Sequence, residues 1–269
     1  MRIQHNVTAL NAHRNLFNNN TSVGKNLEKL SSGYRINRAG DDAAGLAISE
    51  KMRAQITGLE TAQKNASDGI SLVQTAEGAL TEVHSMLNRM VELATQSANG
   101  TYQSTNRDQM QTEIVKLQDE IKRIAKSSDF NGLKLFAADT TIKLQVSDQA
   151  NDTIDVDMET LTTKLADSLA IDIKTDTGAQ TAIDKVKADI DKVSTLRSDF
   201  GAAQNRLEHT LNYLGVQTEN ITAAESRIRD VDMAKEMMAY TKNNILVQAS
   251  QAMLAQANQV PQGVLQLLQ

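Results

Sequence analysis

Between Asp42 and Gly100 apolar residues return every seven positions, at Met52, Leu59, Ala66, Val73, Leu80, Leu87 and Ala94. Ile56, Ile70, Val83 and Met90 fill in at spacings of three or four. Residues three and four apart share one face of an α-helix, and a seven-residue repeat holds that face toward a partner. No proline interrupts the run. Gly58, Gly69 and Gly78 each weaken it by about 1 kcal/mol relative to alanine, which tertiary packing overrides. At about 1.5 Å per residue such a helix extends on the order of 85 Å. A compact globule of this chain's length spans only about 50 Å. The stretch therefore predicts a long helical rod.

A second row of the same kind, Val186, Val193, Phe200, Leu207, Leu214, Ile221 and Ile228, begins after Ala179. Its length, about 75 Å as a helix, nearly matches the first. Met110, Ile114, Leu117, Ile121 and Ile124 form a shorter stripe between them, opened by a capping-box pattern at Thr105 and Asp108. Asp129-Phe130-Asn131-Gly132 ends it. The fold class that follows is mainly α: a long antiparallel, coiled-coil-like bundle.

The period changes to two beyond Lys134. Ile142, Leu144 and Val146, then Ile154, Val156 and Met158, alternate with polar residues across a loop at Ser147 to Asp152, which predicts a β-hairpin at the distal end of the bundle. Leu161 to Gly178 reads as a short helix followed by a strand at Ala170 to Lys174. The segments thus divide as residues 42–137 and 179–230 for the helical bundle, 138–178 for the hairpin tip, and 1–41 with 231–269 for the ends.

Each end carries its own apolar helical stripe. Ile3, Val7, Leu10 and Phe17 open the chain and Val23, Leu27 and Leu30 continue it, with Asn18, Asn19 and Asn20 interrupting. Leu246, Met253, Val260 and Leu267 recur by seven at the other end, with Ala257 and Val264 between them. Two such stripes beyond the bundle predict that the ends pair with each other and with neighbouring copies.

Candidate chemistry is sparse. His5, His13, His84 and His209 form no i, i+4 pair, and no phosphate loop or nucleophile elbow is present. The chain has no cysteine, which excludes disulfides and thiolate sites. Asp41 or Asp42 reads as the cap of the helix that follows, since no third ligand is near to make them a metal pair. Asp148, Asp152, Asp155 and Asp157 lack the glycine-bearing spacing of a calcium loop and read as a solvated face. His84 reads as structural. A net charge of −5 excludes a strongly basic chain of the kind that grips nucleic acid. No run of 18 apolar residues predicts a membrane span, and the first ten residues lack the apolar block of a secretory signal. The reading is of a structural protein, with no enzyme activity and no cofactor.

With these residues in place, the chain resembles bacterial flagellin, the subunit of the flagellar filament. The matching pieces are Ile3 to Val7, Leu27 to Gln55 with its core LSSGYRINRAGDDAAGLAISEKMRAQ, Glu92 to Gly100, Asp129 to Leu133, and Ala257 to Gln262. They occur in the family's order and leave out only about Ala138 to Gln180. The resemblance implies that the terminal helices pair inside a tubular polymer, with Ile3, Val7, Leu10, Arg35, Ile36, Leu246, Met253, Val260, Val264 and Leu267 as assembly residues. It implies a thin, smooth filament outside the bacterial cell, reached by unfolded export through the flagellar type III channel. Partners would be other copies of the chain, hook-associated and capping proteins, and an export chaperone on roughly Ile221 to Gln269. A vertebrate Toll-like receptor would contact Arg89, Leu93 and Glu113. The ends, about Met1 to Gly40 and Asp232 to Gln269, are expected to be disordered in the monomer. A hook–filament junction protein is the alternative reading.

Overall fold

The computed structural model describes the backbone of residues 6–267 and the side chains of residues 6–260. In chain order the elements are α1 (Val7–Ser32), α2 (Ala43–Ser97), α3 (Ser104–Ser127), β1 (Asp129–Phe130), β2 (Leu133–Lys134), β3 (Thr140–Gln145), β4 (Thr153–Met158), α4 (Leu161–Lys164), a 3-10 turn (Ser168–Ala170), α5 (Asp176–Arg229) and α6 (Met233–Leu267). The chain forms two compact units. One takes both ends, Met1–Ile56 with Glu219–Gln269, and the other takes the middle, Thr57–Thr218. The predicted long helices and the antiparallel hairpin are both present.

The middle unit holds one apolar core. Its heptad residues are fully buried: Ala66, Val73, Leu80, Leu87 and Ala94 from α2 meet Val186, Val193, Phe200 and Leu207 from α5. Ile114 and Ile121 of α3 join them. Gln63 bonded to Thr218, and Arg197 paired with Glu77, show α2 and α5 running antiparallel. The hairpin pairs Ile142 with Val156 and Leu144 with Ile154. One face of β4 is thereby buried through Ile154, Val156 and Met158, while Asp155 and Asp157 face solvent as their alternation requires. Among the described residues no group of acidic or histidine side chains is placed to hold a metal ion.

The hairpin explains two of the four glycines in α2, Gly58 and Gly69. A Cβ on Gly69 would lie 2.4 Å from Leu144 Cδ1, and one on Gly58 would lie 2.9 Å from Asp148 Cβ. Both are points where the hairpin comes down onto the helix. Gly78 has nothing within 4 Å and only weakens the helix.

Two expectations need correction and a third is extended. The helix after Gly100 is capped at Gln103 with no side-chain hydrogen bond, and Thr105 lies inside it, so the capping box does not form. Asp129 to Gly132 does more than end α3: Asn131 (φ 51°) and Gly132 (φ 81°) make the two-residue turn of a small hairpin, β1–β2. The expected strand at Ala170 to Lys174 does not pair with any strand. Side chains satisfy its backbone instead. Gln111 accepts from the Ile173 amide at 2.8 Å and donates to the Ile171 carbonyl at 3.3 Å, as a neighbouring strand would. One heptad further along α3, buried Gln118 donates to the Ser168 carbonyl at 2.9 Å. Asp189 of α5, fully buried, accepts from the Ser168 amide at 2.8 Å. Lys192 donates to the same carboxylate at 2.7 Å, and that bond above all raises the ammonium pKa.

Candidate assembly interface

In the terminal unit α1 packs on α6. The side chains that turn toward the seam follow a four–three rhythm on each helix: Ala12, Leu16, Asn19, Val23, Asn26 and Leu30 on α1, and Glu236, Tyr240, Asn243, Val247, Ser250, Leu254 and Ala257 on α6. Six of these thirteen side chains are polar. Asn19 donates to Ser250 Oγ at 3.1 Å. Asn26, its amide turned to satisfy its partners, donates to Glu236 Oε1 and accepts from Asn243 Nδ2, both at 3.1 Å. At the far end Asn6 donates to the Ala257 carbonyl at 2.8 Å. That carbonyl lies one turn before Pro261, whose ring nitrogen has no hydrogen to give it. Asn6 therefore satisfies the acceptor that the proline orphans.

A second set of apolar residues lies outside the seam. Val7, Leu10 and Phe17 are 60–66% exposed, and Ile245, Met253 and Val260 are 45–65% exposed. No described side chain of either helix is fully buried. The predicted stripe at Leu246, Met253 and Val260 is thus the row beside the seam, not the seam itself. Of the other expected assembly residues, Ile3 lies outside the described residues. Val264 and Leu267 lie on α6, but their side chains fall outside those described.

Sequence reasoning missed the seam asparagines. Their signal was available: Asn19 and Asn26 are seven apart and continue the rhythm of Leu16, Val23 and Leu30. A search for apolar residues alone passes over them.

Arg35 and Ile36 occupy the joint between α1 and α2. Gly33 ends α1 in the left-handed region (φ 76°), and the following residues pair with the α5–α6 turn. The Arg35 amide donates to the Arg229 carbonyl at 2.7 Å, and the Val231 amide to the Gly33 carbonyl at 3.0 Å. The Arg35 side chain donates to the Ile228 carbonyl. Arg229 stacks 4.7 Å from the Tyr34 ring and pairs with Glu50 at 2.6 Å. Ile36 is buried against the start of α2. Asp42 caps that helix, accepting from the Gly45 amide at 2.9 Å, while Asp41 accepts from the Asn37 and Arg38 amides of the preceding loop. Those two backbone donors, Arg38 first, hold the Asp41 carboxyl below its ordinary pKa.

In the middle unit Arg89 lies between two carboxylates, 2.9 Å from Glu113 of α3 and 3.0 Å from Glu92 one turn on. Hydrogen bonding to Glu113, then to Glu92, raises the guanidinium pKa further. All three side chains are solvent-exposed, whereas Leu93 is buried in the core beneath them. His84 is half-buried on α2. The hairpin loop and α5 border an open cleft of about 540 Å³, lined by Asp148, Asp152, Arg206, His209 and Tyr213.

These features define a mainly helical protein whose terminal helices carry exposed apolar side chains. The bacterial flagellin N-terminal helical region matches residues 3–141 and the bacterial flagellin C-terminal helical region matches residues 183–268. A flagellin of Halalkalibacterium halodurans is 57% identical over the full length of both chains, and one of Bacillus subtilis is 51% identical, also over both full lengths. The crystal structure of Bacillus cereus flagellin is 35% identical, covers 60% of this chain and 94% of its own, and superposes with a TM-score of 0.53. The chain belongs to the bacterial flagellin family, a family of structural proteins and not of enzymes.

Proposed function

We propose that the chain polymerises into a flagellar filament outside the cell through the outward faces of α1 and α6. The observation that carries this is the mixed seam: two long helices meet through Leu16, Val23, Leu30, Val247 and Leu254 interleaved with asparagine and serine, and still leave Val7, Leu10, Phe17, Leu246, Met253 and Val260 in water. Large apolar side chains left exposed at helical spacing along two long helices point to an interaction site. Copies of the same chain supply a matching face, and repetition along a helical array extends it. Ile3, Val264 and Leu267 continue the same pattern at the chain ends and are assigned to the same contact. Arg35 and Ile36 serve it indirectly, since they fix the joint from which both helices leave.

With one seam and no fully buried side chain, α1 and α6 have too little burial to offset the entropy of ordering. In a lone copy they are therefore disordered, and they fold as they assemble. A chain without disulfides can pass unfolded through the flagellar type III channel. Among the described residues no helix is long and apolar enough to cross a membrane. Until assembly the apolar face of α6 needs a cover, a role for an export chaperone acting on roughly Ile221 to Gln269. Hook-associated and capping proteins would meet the same terminal helices at the ends of the polymer. The Arg89–Glu113 pair offers a charged, exposed surface to a Toll-like receptor, with Leu93 supporting it from the core.

The test is seeded assembly of purified protein followed by electron microscopy. The unaltered chain should extend seeds into long filaments. A Phe17→Ser, Leu246→Ser double variant should not, while the middle unit keeps its helical circular dichroism. Undiminished elongation by that variant overturns the proposal. Oligomers that stop at a few copies identify a junction protein instead.

A further inference from the structure

The chain contains ten methionines, and their placement is uneven. Met90, Met110 and Met158 are buried, and Met52 and Met86 are half-buried. The exposed ones among the described residues are Met233, Met237, Met238 and Met253, and all four lie on α6. Met238 and Met253 are the most open, at 68% and 65%. They also belong to the outward row: with Ile245 and Val260 they follow one another at intervals of seven, eight and seven residues, which keeps them on one side of the helix.

We propose that Met238 and Met253 are oxidation sites that switch off assembly of the free subunit and are shielded once the filament forms. The inference rests on the assembly reading above. The oxidant is a peroxide. The methionine Sδ attacks one peroxide oxygen, the O–O bond breaks, an S–O bond forms, and the remaining oxygen leaves as water after proton transfer. Sulfur loses two electrons and the peroxide gains them. The product, a sulfoxide, is polar and chiral in place of a flexible apolar thioether. Methionine adapts well to irregular apolar contacts, which suits a face that must dock on copies of itself. A sulfoxide there carries a strong acceptor into a contact made of Ile245, Leu246 and Val260, where the thioether had been apolar. Methionine sulfoxide reductases reverse the change, so the switch is resettable before assembly.

The experiment treats purified full-length protein with hydrogen peroxide before seeding, and measures oxidation at each methionine by peptide mass spectrometry. Met238 and Met253 should oxidise about tenfold or more faster than Met90 and Met158, following exposure. Filament growth should fall in step with their sulfoxide content and return after reductase treatment. The same dose applied to finished filaments should leave both thioethers unoxidised. A Met238→Leu, Met253→Leu variant, conservative in volume, should grow equally before and after peroxide although Met233 and Met237 still oxidise. Full sulfoxide at both positions with undiminished growth overturns the inference. So does a leucine variant that remains as sensitive as the unaltered chain. If the leucine variant grows poorly without peroxide, reductase rescue of the unaltered chain decides alone, and failure to rescue overturns it. Failure of untreated, unaltered protein to extend seeds overturns the assembly reading, and this one with it.

Discussion

Alanine at Gly69 and at Gly78 should move the stability of the middle unit in opposite directions or, at the least, by clearly different amounts. Both glycines lie inside α2, so each replacement removes the same helix penalty and gains about 1 kcal/mol. At Gly78 nothing lies within 4 Å of the new Cβ, and the full gain should appear. At Gly69 the new carbon would lie 2.4 Å from Leu144 Cδ1, with Leu144 Cγ and Leu207 Cδ1 both at 3.4 Å. Leu144 must turn or lift, and it is already packed against the core. Overpacking of this kind costs about 1–3 kcal/mol, so the net change is between zero and about 2 kcal/mol of destabilisation. The helix contribution cancels between the two variants, and their difference of about 1–3 kcal/mol measures how closely the hairpin approaches the helix. Urea unfolding followed by circular dichroism gives both values. Leu144→Ala in the Gly69→Ala background should recover part of the loss, because it removes the side chain that collides. Equal gains at both positions would falsify the close approach of β3 to α2.

Gln111→Ala should destabilise the middle unit by about 1–3 kcal/mol, since it strips the Ile173 amide and the Ile171 carbonyl of their partner together. Amide exchange at Ile173 should accelerate, and unchanged exchange there argues against the side-chain ladder. Asp189→Ala should have an effect of similar size, about 1–3 kcal/mol, by leaving the buried Ser168 amide without an acceptor. Asp189→Asn should lose less, and an equal loss would show that the charge facing Lys192 matters more than the acceptor. The Asp41 carboxyl is held below its ordinary pKa by the Arg38 and Asn37 amides, so its ionised form is favoured by the folded loop. Its contribution is complete above the unfolded value of about 4, and is lost as pH falls through the lower folded value. An NMR titration of Asp41 at or above the ordinary aspartate range contradicts this assignment.

The long helices were legible because a seven-residue apolar period has one structural solution over fifty residues. The hairpin was legible because alternation at Ile154, Val156 and Met158 places one face in the core and leaves Asp155 and Asp157 in water. The family was legible in the run from Leu27 to Gln55. The return segment through Ser168 to Ile173 was not. Its backbone partners are side chains of Gln111, Gln118 and Asp189, distant in sequence, and no local period reports them.

The terminal helices show where the division falls. A repeat of seven determined that α6 carries a straight apolar row at Leu246, Met253 and Val260. A row of that period serves equally as the seam with α1 or as an outward face, because both run along the helix axis. Only the packed pair decided between them. Asn19 meets Ser250 and Asn26 meets Glu236 and Asn243, so the row holding these residues with Val247 and Leu254 turns inward, and the row at Leu246, Met253 and Val260 is left for something outside the chain. Periodicity sets which residues travel together along a helix, while the rotation of that helix against its neighbour is fixed by contacts that no single segment contains.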